Sequence, residues 1–205
     1  MTTTRIALIL FAAAAMAAAE PASTPVKAWM SWEGGVDVAG VTKPGLTAPN
    51  LILHVGRIVH TPVGSAASGI VFWQPDPAAP PVVVGFVSEN PAVGAYFGPQ
   101  VFAGTPFEKV PVLPAKITVE NGADGASSRI EAGGHVFTVK LAQLAPAQLV
   151  ERPAGGMPFR QQGVESAAGS VSVTIDGKPV EIIVPPPAPG GGANAVFSQT
   201  GVYSR

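Results

Sequence analysis

Cysteine is absent from the 205 residues, so no disulfide can brace the fold and no thiolate can serve as nucleophile or metal ligand. Charge is scarce as well: Asp, Glu, Lys and Arg make up 12 % of the chain, where about 25 % is usual. With a formal charge of -1 and no Lys/Arg run, the chain lacks the positive footprint that a phosphate backbone demands, which argues against nucleic acid as a partner. Local catalytic signatures are missing too. There is no Walker loop, no G-x-S-x-G elbow, no H-E-x-x-H and no C-x-x-C, and Gly64-Ser-Ala-Ala-Ser-Gly69 has the wrong spacing for a nucleophile turn. The longest apolar run, Ile6 to Ala19, is 14 residues, short of the roughly 20 that a membrane-spanning helix needs.

That run has a different meaning at its position. Arg5 precedes it, and Ala17-Ala18-Ala19 before Glu20-Pro21 supplies small residues for cleavage, the order of a secretory signal. The reading is a signal peptide over residues 1–19, a periplasmic or secreted location, and no membrane span after cleavage. No lipid can be attached at a cysteine that does not exist, and a spanning β-barrel is disfavoured by prolines beside the strands and by the few aromatics available for girdles.

Glycine and proline are plentiful, 24 and 22 residues, which disfavours long helices, while a hydrophobic fraction of 47 % suffices for a packed core. The fold class expected is all-β: a single antiparallel sandwich or flattened barrel of roughly eight to ten strands, with one short helix and long Pro/Gly-rich loops. Residues 20–25 read as a short flexible lead, 26–184 as the β domain, 185–192 as a Pro/Gly linker and 193–205 as a tail docked as an edge strand. Val26 to Trp32 suggests a first strand ending at Glu33-Gly34-Gly35, and the tract from Val36 to Asn50 reads as mostly turns. Leu51 to Thr61 is bounded by Pro49 and Pro62 and is rich in β-branched residues, which makes it the clearest strand. Gly69–Trp73 and Val82–Val87 follow. Asn90-Pro91 opens a helix that should stop at Gly98-Pro99. Three antiparallel strands over residues 116–141 come next, with a short strand at Gln148–Arg152. Asp176-Gly177 between Ser170–Ile175 and Lys178–Val184 is a type I′ hairpin signal. Gly104-Thr-Pro-Phe107 and Gly156-Met-Pro-Phe159 share a spelling that would indicate duplication only if the backbones matched.

Candidate chemistry is sparse. On a regular strand His54 and His60 would face one way about 20 Å apart, beyond the reach of a single ion. His135 with Glu131 or Asp124 completes the ligand inventory, so no metal and no cofactor is assigned, and no catalytic residue. The candidate ligand-binding residues are Trp29, Trp32, Glu33, Asp37, Tyr96 and Phe97: aromatic faces for stacking, with carboxylates beside them for hydroxyl recognition. The leading functional expectation is a non-catalytic exported module that binds another protein or a second copy of itself, as an accessory subunit would, because a covered surface needs no charge. Compositional bias toward alanine accounts equally well for the low charge. A glycan or small-ligand binder using the segments Trp29 to Asp37 and Tyr96 to Phe107 is the alternative, and an enzyme whose site is invisible in local sequence comes third.

Overall fold

The computed structural model describes residues 26–123, 125–152, 158–186 and 194–205. The signal segment, the lead, Asp124, the Gly156-Met157 half of the repeated spelling and most of the Pro/Gly linker therefore lie outside the described residues.

The protein is mostly β, as its composition implies. Among the described residues eleven strands run in chain order: β1 Trp29–Gly40, β2 Leu51–Thr61, β3 Gly64–Trp73, β4 Val83–Ser88, β5 Val112–Gly122, β6 Gly125–Ala132, β7 His135–Leu144, β8 Gln148–Arg152, β9 Arg160–Ile175, β10 Lys178–Val180 and β11 Ala195–Ser204. The sheet runs β10-β9-β11-β1-β2-β3-β4-β5-β6-β7, and β9 pairs again with β7 to close a ring. Closure depends on β9, whose 16 residues serve both sides: Arg160–Ala167 pairs with β11 and Ala168–Ile175 with β7. The result is a flattened barrel, with β8 and β10 attached to β9 outside the ring.

Inside the ring, alternate residues of both halves interdigitate. Val36, Val38, Leu51, Leu53, Val71 and Val87 meet Ile130, Phe137, Val139 and Leu141, all at most 2 % exposed. No charged side chain belongs to this cluster, and burial of this aliphatic surface is the main stabilising term in a chain without cross-links.

Several expectations need correction. The first strand continues past Gly34-Gly35 to Gly40. The absent side chain at Gly40 is required there, because a Cβ would lie 2.6 Å from Cγ1 of Ile182, where the segment after β10 crosses and Ile183 bridges to Val41. The C-terminal tail docks as β11, but inside the sheet between β9 and β1 and not at its edge. Nor is every pairing antiparallel: β4 and β5 run parallel. A parallel neighbour requires a crossover, and residues 89–111 provide one. Asn90 caps the helix α1 (Pro91–Tyr96) by accepting the Ala92 amide at 3.0 Å. Gly98-Pro99 does not end the helical path; the chain widens into a π turn, Phe97–Val101, whose last bond runs from the Phe102 amide to the Phe97 carbonyl. The type I′ signal holds, with Asp176 and Gly177 at φ 52° and 76°, although the returning strand is only three residues long.

The crossover lies over the outer face of β1–β4, where Met30, Trp32, Val59, Phe86, Val93, Phe97 and Val101 form a second buried cluster. Among the described residues no helix is long and apolar enough to cross a membrane.

Candidate functional site

Three adjacent strands change face at one belt. On β1, Met30 and Trp32 point outward, then Gly34 takes φ 62° and the outward set becomes Gly35, Asp37 and Ala39. On β2 the register against β3 slips between Gly56 and Val59, and on β11 the register against β9 slips between Ser198 and Thr200. Bulges bend a sheet and redirect its side chains. Here they turn aromatic residues and a carboxylate toward a common hollow of about 390 Å³ on the outer face, roofed by Phe97, Phe102 and Phe107 of the crossover and by Phe159 before β9.

The wall of this cavity is aromatic over most of its extent. Tyr203 lies 4.9 Å from Trp32 and 4.6 Å from Phe159 between ring centroids, and Phe102 contacts Phe86, Phe107 and Phe159 at 5.3–5.9 Å. Such offset and edge contacts add to the area term and hold the rings in defined orientations. Trp32 is fixed from beneath: its indole N–H donates to Ser198 Oγ at 2.8 Å, and its ring lies over Gly201, where any Cβ would collide with it.

One end of the cavity is charged. Glu165, 5 % exposed, accepts a two-pronged bond from Arg152 at 2.8 and 2.5 Å, and Gln161 donates to it at 3.0 Å. That pairing raises the Arg152 guanidinium above its already high range. Asp37 is different. Its nearest ionisable neighbour is His54, Nδ1 to Oδ1 at 3.6 Å, too long for a hydrogen bond, and among the described residues no donor reaches its carboxylate. Burial pushes the Asp37 carboxyl above the ordinary aspartate value; His54 pulls it back, Glu165 adds to the rise and Arg152 opposes it. Burial likewise raises the Tyr203 phenol, and the charge of Asp37 adds to that rise, which ties the aromatic wall to the charged end.

Of the six candidate residues, Trp32, Asp37 and Phe97 come together on this wall. Trp29, Glu33 and Tyr96 do not line it. Trp29 is exposed at the rim of β1, with its amide 3.4 Å from the Tyr96 hydroxyl. Glu33 faces the other side of β1, where His60 Nε2 approaches it at 3.3 Å while His60 Nδ1 contacts Ser65 Oγ at 2.8 Å. This Ser-His-Glu array lies on open sheet surface beside Arg57, with Glu33 half exposed, so water screens every member. The bulge at residues 56–59 also separates the two histidines. His54 faces the cavity and His60 does not, contrary to the single face expected of a regular strand. His135 pairs with Asp176 at 2.8 Å, far along the chain on the β7 side. Among the described residues no group of three or more potential metal ligands converges.

Phe102 and Phe107 fall in the segment Tyr96 to Phe107 read as a ligand surface, whereas Phe159, Tyr203, Arg152 and Glu165 are not among the candidates. Phe107 and Phe159, the last residues of the two Gly-x-Pro-Phe spellings, both pack on Phe102. No family model, no curated protein and no solved structure matches the chain.

Proposed function

We propose that this protein is a non-catalytic, exported binding module whose ligand is a small organic molecule seated in the outer aromatic cavity. The observation that carries this reading is the hollow itself: about 390 Å³, walled by aromatic rings from five separate parts of the chain, with ionisable groups gathered at one end. A concave, mostly apolar site with a few convergent polar groups is the common form of a small-ligand pocket, and this volume falls in the usual range of roughly 300–1,000 Å³. The segments Trp29 to Asp37 and Tyr96 to Phe107, singled out as a ligand surface from sequence, contribute both a floor and a roof. A partner protein is favoured by a separate feature. Edge strand β8 is paired on one side only and exposes Leu149 at 82 %, but one side chain makes a far smaller surface than the cavity.

The test is a fragment screen followed by the indole N–H resonances of the three tryptophans. A binding module of this kind shows saturable shifts at the Trp32 indole, which faces the cavity, with Trp73 unmoved. A screen of small aromatics, alicyclics and soluble oligosaccharides in which no compound moves Trp32 contradicts the proposal.

A further inference from the structure

The polar groups of the cavity wall can be accounted for one by one. The Trp32 N–H is taken by Ser198, the Arg152 fork and the Gln161 amide are taken by Glu165, and the Asn194 amide is taken by the Pro185 carbonyl at 2.9 Å. What faces the hollow without a hydrogen-bond partner among the described residues is the Asp37 carboxylate, the Tyr203 hydroxyl and the His54 imidazole, whose Nδ1 stays 3.6 Å from Asp37. A carboxylate only accepts. Leaving it in an aromatic hollow without a donor is costly, and filling the hollow with a hydrocarbon would deepen the cost by removing the remaining water.

Three ligand classes can be weighed against this wall. An anion meets Asp37 head on and finds the one guanidinium already engaged. A sugar brings many hydroxyls, each wanting a partner, to a wall made mostly of aromatic and aliphatic side chains. An organic cation needs one carboxylate and aromatic faces, whose negative quadrupole attracts positive charge. The charge balance agrees: Asp37 and Glu165 stand against Arg152 alone, with His54 beside Asp37 on the more open side, its side chain 40 % exposed. We infer that the cavity takes an organic cation, its ammonium group set against Asp37 and its aryl or alkyl body among Trp32, Phe102, Phe159 and Tyr203. This inference rests on the small-ligand reading above and specifies the chemistry of the head group.

Calorimetric titration near neutral pH with four matched probes tests it: phenethylamine, phenethyltrimethylammonium, phenethyl alcohol and hydrocinnamate. The two cations should bind about tenfold or more tighter than the alcohol, and the acid most weakly. Asp37→Asn should abolish the preference while keeping the affinity for the alcohol, which doubles as evidence that the variant is folded. Equal binding of amine and alcohol, or a preference that survives Asp37→Asn, overturns the cation inference and leaves the cavity reading intact. Tightest binding by hydrocinnamate overturns it in favour of Arg152 as the recognising group. If none of the four probes binds, the cation inference is overturned, while the small-ligand reading stands or falls on the Trp32 screen above.

Discussion

The barrel interior and the outer cavity are built from the same strands yet follow opposite rules. On β1, Val36 and Val38 point inward and are fully buried, while the residues between and after them, Asp37 and Ala39, point to the cavity. The interior is mostly aliphatic, with Phe137 and Phe197 among it, and no charged side chain belongs to its cluster. The cavity is aromatic and charged at one end, and it sits where three strands are irregular. The contrast teaches that burial alone does not mark a structural residue here. Inward-facing apolar groups pack against one another, with Ser128 Oγ a buried atom left unpaired among them, whereas Asp37 and Tyr203 on the outer face are half-buried in an open hollow with no protein hydrogen-bond partner among the described residues. In a small β protein that local inconsistency is where function is to be sought.

The sharpest way to break the comparison is to make a hole on each side. Phe137→Ala in the interior should cost about 3–5 kcal/mol in urea unfolding, because the ring is wholly buried and its neighbours can close over the gap only in part. A cost below about 1 kcal/mol would mean that the interior is far looser than its burial implies. On the cavity side, Arg152→Met should cost about 3 kcal/mol by leaving Glu165 buried without its cation, whereas the double variant Arg152→Met/Glu165→Leu should recover most of that loss. Equal losses in the single and double variants would show that the pair acts through packing and not through charge.

How much of this was legible beforehand depends on distance along the chain. The bounds of β2, the Asn90 cap and the Asp176-Gly177 turn are set by residues within a few positions of one another, and local chemistry specifies them. The tail also announced its docking through Val196, Phe197, Val202 and Tyr203, but its place between β9 and β1 depends on partners over 30 and over 150 residues away. The site was half visible. Trp32 and Asp37 were chosen with Glu33, and the face change that brings Asp37 to the side of Trp32 and away from that of Glu33 comes from Gly34, a glycine inside a strand that can signal a bulge but does not say which way the strand turns. Glu165 gave no local sign at all. It stands in a stretch of small and apolar residues, and its burial follows from Arg152 reaching it from β8.

Asp37, which lines the cavity with no hydrogen-bond partner among the described residues, makes stability depend on pH with a definite sign. Because burial raises its pKa above 3.8, the folded protein keeps a proton that the unfolded chain releases, so Asp37's contribution to stability falls as pH rises through that window. Asp37→Asn escapes this loss and should be more stable than the parent by about 1 kcal/mol at neutral pH, with the gap closing as pH falls toward 3.8. Thermal unfolding of the two proteins across that range is the most direct measurement. A higher midpoint for the variant at neutral pH, converging at acid pH, is the predicted result; a variant less stable than the parent at neutral pH would mean that the carboxylate is already satisfied and would contradict the account.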